Sequence, residues 1–386
     1  MTKEHNREKI GLILSGGGAR AAYQVGVLKA VSELLPKGAS NPFPIICGTS
    51  AGAINTAAIA IYGANFKDAV NRLMRIWRNF RVNQVFRTDV PGITKNSLHW
   101  LLALLVGGLG KRNPVALLDR KPLDRLLDKY LPCERIVDSI RDGIIESICI
   151  TASAYGSAKS VVFYHSSSGI EPWHRSRRFG TSEPITNAHL MASSAIPIVF
   201  SAVRVGNDYY GDGSMRQTAP ISPAIHMGAD KVLVIGVTKP PTMDVRGGFG
   251  PKYPSLATIA GHILNSIFID SLEADLERLN RINKTLEQIP TQNSEDKGVN
   301  LRPVEAFVIE PSRDLQFISD KYVRSLPWTL RFLLRGVGAM DKNGSSLVSY
   351  LMFEKPYCRE LIALGYHDAM QRKQELVKFL GLENAS

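Results

Sequence analysis

Residues 45–54, IICGTSAGAI, combine an apolar run, a Gly48-x-Ser50-x-Gly52 turn and the alanine-rich beginning of a helix that continues towards Ala60. A serine on a sharp turn between a strand and a helix has a strained backbone conformation that exposes its Oγ above the sheet. The free amides of the following helix point to the place where negative charge would develop. The stretch therefore predicts a nucleophilic serine, and a buried helix start made of small residues is the alternative interpretation.

A second strand with a glycine loop precedes this stretch. Residues 9–14 form a short apolar run, and Gly16, Gly17 and Gly18 follow it before a helical pattern begins. Consecutive backbone amides beside a helix N-terminus suit an anion, either a phosphate or an oxyanion. A dinucleotide-binding loop would have a third glycine where this chain has Ala21, and the Gly-Lys-Ser/Thr of a P-loop is absent. Nucleotide binding is therefore the weaker interpretation.

The order strand, helix, strand, helix predicts a parallel sheet with helices on both faces. In such sheets, ligands bind at the carboxyl ends of the strands, where both the glycine loop and Ser50 are expected. Residues 203–210 predict a hairpin that leads to Asp212 between two glycines. A helix at 219–227 and a strand at 231–237 then resume the α/β order. Asp212 is therefore expected at the same edge of the sheet as Ser50, as a candidate base.

The charge of the chain favours an anionic partner. The 386 residues include 47 Lys and Arg against 35 Asp and Glu, which gives a formal charge of +12. A phospholipid surface, an acidic substrate and nucleic acid all fit this balance. The 4 cysteines have no metal-binding spacing, which argues against a disulfide framework and a structural zinc, and a reducing compartment fits best.

The chain has no apolar stretch typical of a secreted or membrane-spanning protein. Residues 1–9 are polar and charged, so a signal peptide is not expected there. The most apolar stretch, 98–109, has about a dozen residues, whereas a spanning helix needs about 20. We therefore expect a cytoplasmic protein that contacts membranes peripherally.

Three short segments resemble, in this order, the signatures of the patatin-like phospholipases: Gly16-Gly17-Gly18-Ala19-Arg20, Gly48-Thr49-Ser50-Ala51-Gly52 and Asp212-Gly213. Residues 192–197 with Phe200 are also similar to the segment that leads to the aspartate of that family. The resemblance covers roughly residues 10–237. It implies a three-layer α/β/α sandwich of the patatin type, with a mainly parallel central sheet and a helical C-terminal extension.

The resemblance also implies roles for individual residues. Ser50 would be the nucleophile and Asp212 the base of a dyad without histidine, and this dyad would hydrolyse acyl esters of lipids without a metal or other cofactor. The oxyanion loop would comprise Gly16, Gly17 and Gly18, with Arg20 as a basic substrate-binding residue. The implied patatin-like domain covers 10–238, with a cap-like insertion around 83–121, and a mainly helical region covers 239–386. The chain departs from the family pattern in two places, at Ala21 and Ser214.

Two other functions remain open at this point. One is a Ser-His-Asp esterase, for which His226, His262 and His367 are the available bases. The other is a lipid-surface or nucleotide-binding protein with weak or no hydrolysis. The expected partners are a phospholipid or another acyl lipid and an anionic membrane, without nucleic acid. Residues 330–335 mix apolar side chains with arginines, which fits either a helical layer of the core or a surface that docks on such a membrane.

Overall fold

A computed structural model of the protein describes residues 8–89, 116–239, 256–288, 301–336, 338–339 and 345–383. The apolar stretch 98–109 and most of the predicted cap-like insertion lie outside the described residues. Within the described ranges, no helix has both the length and the apolar character that are needed to cross a membrane.

A ten-stranded sheet lies at the centre of the described chain. Its strands are β1 Ile10–Leu14, β2 Ile45–Thr49, β3 Ser147–Ala154, β4 Ser160–Ser166, β5 Trp173–Arg175, β6 Arg178–Ser182, β7 Val203–Val205, β8 Asp208–Asp212, β9 Lys231–Ile235 and β10 Glu305–Ile309. Five of them, in the spatial order β10, β9, β1, β2 and β3, run parallel to one another. The predicted hairpin at 203–210 is present as the antiparallel pair β7 and β8.

Helices connect most of these strands and make up most of the C-terminal region. They are α1 Ala22–Leu34, α2 Ala51–Tyr62, α3 Phe66–Trp77, α4 Lys121–Tyr130, α5 Arg135–Arg141, α6 Asn187–Ser193, α7 Ser222–His226, α8 Leu256–Glu287, α9 Leu315–Asp320, α10 Trp328–Gly336, α11 Ser345–Leu351, α12 Lys355–Gln371 and α13 Lys373–Phe379. The helix predicted at 219–227 is shorter than expected because only five residues, those of α7, are helical.

The strands separate two apolar cores, since successive side chains of a strand point to opposite faces of the sheet. Leu12 and Leu14 of β1 pack in one core with Val25 of α1. Ile13, between them, packs in the other core with Leu279 of α8. Helices therefore cover both faces, and this arrangement is the predicted three-layer α/β/α sandwich.

The C-terminal region packs directly on the first helix. A Cβ at Gly26 of α1 would lie 2.1 Å from the carbonyl oxygen of Ile362, and one at Gly365 of α12 would lie 2.1 Å from that of Tyr23. Only glycine permits such close contact between two backbones. The Tyr23 hydroxyl also donates a hydrogen bond of 3.0 Å to Asp368. The predicted parts 10–238 and 239–386 therefore pack against each other, and the division between them stays a prediction.

Candidate active site

Ser50 occupies a strained turn between β2 and α2. Its backbone has φ 55° and ψ −127°, a conformation that is rare for a residue with a side chain. A Cβ at Gly48 would lie 2.4 Å from Oγ1 of Thr56, and one at Gly52 would lie 2.2 Å from the carbonyl oxygen of Leu14. The two glycines of the motif therefore allow α2 to begin against the end of β1, and this contact maintains the sharp turn.

The pairing of β3 with two strands positions Asp212. β2 pairs with β3 as far as Thr49, which lies opposite Thr151. β3 continues past that point and pairs with the antiparallel β8, where Asp212 lies opposite Ala152. Because β8 runs towards the end of β2, its last residue meets the turn that carries Ser50.

Ser50 and Asp212 form a buried hydrogen-bonded pair. Oγ of Ser50 donates to Oδ2 of Asp212 over 2.6 Å, and the two residues are 2% and 1% exposed. Burial raises the pKa of Asp212 from its usual 3.8 to about 6, against the lowering effect of hydrogen bonds from Ser50 and Ser214 and of the charge of Arg120. Asp212 is therefore a stronger proton acceptor than an exposed carboxylate and is still ionised at neutral pH.

Arg120 contributes a buried positive charge that the sequence analysis missed. Its guanidinium donates to the carbonyl oxygens of Met191, at 2.6 Å, and Ser201, at 2.8 Å. Burial lowers the pKa of Arg120 to about 10, although the nearby carboxylates of Asp124 and Asp212 act to raise it. The residue stands outside any motif in the sequence, so no local pattern could have identified it.

Ser193 fixes the backbone of the Ser50 turn. Its Oγ donates to the carbonyl oxygen of Thr151 over 2.6 Å and accepts from the amide of Ser50 over 2.9 Å. The amide of Asp212 donates to the carbonyl oxygen of Ala195 nearby, at 2.8 Å. The segment 192–197, whose family resemblance was visible in the sequence, therefore holds both members of the pair, although its contacts could not be predicted.

The glycine loop lies beside Ser50. After Gly16 and Gly17, a short 3-10 turn begins at Gly18, and Gly18 and Ser50 line the same cleft. Among the described residues, the amides of these three glycines donate no hydrogen bond to protein. All three glycines are buried, and their role as an oxyanion loop stays a prediction.

Arg20 is bound to the C-terminal region. Its side chain is 2% exposed and donates to Oγ of Ser349 over 2.8 Å, Oη of Tyr350 over 3.2 Å and Oγ of Ser346 over 3.4 Å. The guanidinium also lies 4.0 Å from the centre of the Tyr350 ring. These contacts tie the end of the glycine loop to α11. Substrate binding by Arg20 stays a prediction, and the structure places its charge against protein groups.

An apolar cleft with an empty volume of about 730 Å³ opens beside Ser50. It is lined by Gly18, Ser50, Ala51, Ile54, Ala58, Leu73, Ile76, Trp77, Phe80, Val85, Leu123, Leu126, Leu127, Tyr130, Leu131, Ser194, Ile196, Phe200 and Phe353. Almost all of these side chains are apolar, as in most sites that bind small molecules. The cleft therefore suits a hydrocarbon chain that extends from Ser50.

The histidine alternative finds no support in the described residues. His226 stacks on Trp173 with the ring centres 4.6 Å apart, and His367 contacts Gln371 on α12. The side chain of His262 lies outside the described residues. No histidine is among the described residues that line the cleft, and the described chain contains no cluster of His, Cys, Asp or Glu that could bind a metal ion.

A family model described as patatin-like phospholipase matches residues 12–225, which is more than half of the chain. The chain belongs to the patatin-like phospholipase family. Rat calcium-independent phospholipase A2-gamma is 22% identical over 216 residues, which are 56% of this chain and 25% of the relative. Lysophospholipase nte1 of Aspergillus terreus is 45% identical over 76 residues, 18% of this chain and 5% of the relative. The chain thus spans a quarter or less of the length of these two relatives.

Solved structures give weaker likenesses. Human GIVD cytosolic phospholipase A2, in complex with methyl gamma-linolenyl fluorophosphonate, has a TM-score of 0.45 and 10% identity, over 97% of this chain and 59% of that chain. VipD from Legionella pneumophila has a TM-score of 0.34 and 12% identity, over 95% of this chain and 67% of that chain. Because both TM-scores are below 0.5, the assignment of the fold depends on the sheet itself and on the family match.

The two departures from the patatin-like pattern have clear places in the structure. Ala21 is fully buried in the 3-10 turn, and its carbonyl oxygen accepts a hydrogen bond of 3.3 Å from Asn55. Ser214 donates its amide to Oδ1 of Asp212 over 3.0 Å, and its hydroxyl also lowers the pKa of that carboxyl. Ser214 therefore stabilises the ionised form of Asp212, the form that accepts a proton.

Proposed function

We propose that this protein is a lipid acyl hydrolase in which Ser50 is the nucleophile and Asp212 the general base. The observation that carries the proposal is the 2.6 Å hydrogen bond from Ser50 Oγ, which lines an apolar cleft, to Asp212 Oδ2. Membership of the patatin-like phospholipase family supports the same chemistry. The substrate would be the carboxylic ester of a phospholipid, a lysophospholipid or another acyl lipid.

In the proposed reaction, Ser50 Oγ attacks the ester carbonyl carbon while its proton moves to Asp212. The carbonyl oxygen becomes an oxyanion, which the amides of the loop Gly16, Gly17 and Gly18 stabilise. The intermediate collapses to an acyl-Ser50 ester, and the leaving alcohol takes the proton from Asp212. Water then attacks the acyl enzyme and gives its proton to Asp212. The fatty acid leaves, and the proton returns to Ser50.

The apolar cleft would hold the acyl chain of the substrate during these steps. Leu73, Trp77 and Leu127 come from α3 and α4, and Phe353 comes from the C-terminal region. Burial of a chain against these side chains is favourable by about 0.8 kcal/mol for each methylene group. Long acyl chains should therefore bind better than short ones until the cleft is full.

Labelling with a fluorophosphonate, followed by mapping of the adduct by mass, tests this function. We expect the probe to modify Ser50 in the native chain, and Ser50→Ala to remove the label. Asp212→Asn should slow labelling strongly because the serine loses its base. Ser32, a buried serine on α1 with 6% exposure, provides the matched control, since Ser32→Ala should label like the native chain.

The outcome of labelling separates the competing functions. Labelling that survives Asp212→Asn but is lost when His226, His262 and His367 are replaced together would indicate a Ser-His-Asp esterase. A folded native chain that takes no label and hydrolyses no lipid ester would favour a lipid-binding protein without hydrolysis. A long-chain fluorophosphonate that reacts faster than a short-chain one would support the role of the cleft.

A further inference from the structure

Helix α10 exposes large apolar side chains to solvent. Trp328 is 64% exposed and Phe332, one turn further along, is 76% exposed. Phe317 on α9 is 68% exposed. The opposite side of α10 is buried through Leu330 and Leu334. Because water-exposed tryptophan and phenylalanine are unfavourable on a surface without a partner, this face is a candidate interaction site.

Arginines surround these aromatic side chains. A groove at this surface is lined by Asp320, Val323, Arg324, Trp328, Arg331, Phe332 and Arg335. Among the described residues, no carboxylate lies within 4.0 Å of the guanidinium groups of Arg324, Arg331 or Arg335. The buried Nε of Arg331 also has no hydrogen-bond partner in that part of the chain. The groove therefore carries positive charge that suits phosphate groups.

The α10 surface, defined as Arg324, Trp328, Arg331, Phe332 and Arg335, adjoins the wall of the apolar cleft. The hydroxyl of Thr329 in α10 donates to the carbonyl oxygen of Thr88 over 2.6 Å. Three residues before Thr88, Val85 lines the cleft. The ring of Phe86 also lies 6.0 Å from that of Phe200, another residue of the cleft. The helix that carries the α10 surface therefore packs on a segment that lines the cleft.

We propose that the α10 surface docks the protein on an anionic phospholipid bilayer. Trp328 and Phe332 enter the interface between headgroups and acyl chains, where aromatic side chains are favoured. Arg324 and Arg335 contact the phosphates of the headgroups. A bilayer is the chosen partner because the proposed function, on which this choice rests, requires a substrate that resides in one. The formal charge of +12 acts in the same direction.

Cosedimentation of the full chain with vesicles tests the docking surface separately from hydrolysis. All variants for this test carry Ser50→Ala, so that the vesicles stay intact. The vesicles are phosphatidylcholine alone or phosphatidylcholine with a minor fraction of phosphatidylglycerol. We expect the parent Ser50→Ala chain to bind the anionic vesicles more tightly and to lose this preference at high salt.

Two variants separate the aromatic and charged contributions. Trp328→Ser with Phe332→Ser should weaken binding to anionic vesicles by about tenfold or more, since apolar burial in the interface is lost. Arg324→Gln with Arg335→Gln should weaken it by about tenfold to thirtyfold and leave binding to neutral vesicles unchanged. The matched control replaces Tyr209 and Leu301, each 55% exposed elsewhere, with serine and should bind like the parent.

The fluorescence of Trp328 reports the same event directly. Anionic vesicles should shift its emission to shorter wavelength, and Trp328→Phe should remove that shift while binding is largely retained. Equal vesicle binding by the parent and the Trp328→Ser, Phe332→Ser variant would overturn the proposal. Binding of soluble polyglutamate without binding of vesicles would assign the surface to an acidic protein instead.

Hydrolysis assays keep the failure of docking distinct from the failure of the proposed function. With Ser50 present, the aromatic double variant should hydrolyse the soluble ester p-nitrophenyl butyrate at the native rate but release less fatty acid from vesicles. If the native chain binds vesicles but hydrolyses no ester, the docking surface is supported and the proposed hydrolase function is contradicted.

Discussion

Replacing Asp212 with asparagine should stabilise the folded protein at alkaline pH while it removes the proposed base. Burial raises the pKa of Asp212 from 3.8 to about 6, so the folded chain holds the ionised carboxylate less favourably than the unfolded chain does. A shift of about two pKa units corresponds to about 3 kcal/mol of the free energy of unfolding. This value is an upper limit, because asparagine also exchanges charge-assisted hydrogen bonds from Ser50 and Ser214 for neutral ones.

The size of the stabilisation by Asp212→Asn changes with pH in a defined way. Because the folded-state pKa of Asp212 is raised, the proton on its carboxyl group stabilises the folded state. This stabilisation is fully present below the unfolded pKa of 3.8 and is lost as pH rises through about 6. The difference in stability between Asp212→Asn and the native chain should therefore be small near pH 4. It should reach its full size above about pH 7.

Unfolding by denaturant across this pH range measures the difference, together with hydrolysis of a soluble ester. Ser50→Ala is the matched control because it also removes activity, but it takes away the hydrogen bond that lowers the pKa of Asp212. It should therefore destabilise the protein by about 1 kcal/mol at pH 8. An Asp212→Asn chain that is less stable than native at pH 8 would contradict the expected effect of burial. A gain in stability that does not depend on pH would refute it as well.

Three further predictions concern Asp212 and the two buried arginines. Hydrolysis of a soluble ester should fall about tenfold per pH unit below about pH 6, as Asp212 takes up its proton. Arg120→Gln should move that limb of the pH profile to higher pH, because the positive charge that lowers the pKa of Asp212 is lost; an unchanged profile would exclude this influence. Arg20→Lys should lower kcat by about tenfold with little change in KM, since its hydrogen bonds to Ser349 and Tyr350 hold the glycine loop. A higher KM for anionic phospholipids alone, measured beside an uncharged ester, would instead indicate that Arg20 contacts the headgroup.

Much of the sheet edge was predictable because its signals are local. The strands at 9–14 and 45–49 and the turns after them follow from apolar runs that end in glycine or serine. The hairpin that leads to Asp212 follows from a turn sequence between two short apolar runs. Since parallel strands place their carboxyl ends at one edge, the glycine loop and Ser50 could be assigned to that edge from the sequence. Asp212 was expected at the same edge, and it reaches that edge on the antiparallel strand β8.

The surroundings of the pair were not predictable, because they come from distant parts of the chain. Arg120 lies at the beginning of α4, and no motif surrounds it. The residues that hold Arg20 follow it by more than 300 positions, in α11. Phe353 lines the cleft although it lies far beyond the matched residues 12–225. Long-range packing of this kind leaves no periodic or local pattern in the sequence.

The residue pattern alone predicts the elements of the proposed site: a serine on a glycine-flanked turn, a glycine loop and an aspartate at the end of a hairpin. The contact between them depends on the fold, in which Ser50 and Asp212, 162 residues apart, form a 2.6 Å hydrogen bond away from water. This contact results from the pairing of β3, because its end extends past β2 and pairs with β8 beside the turn. Burial at that point, which no residue pattern encodes, then raises the pKa of Asp212.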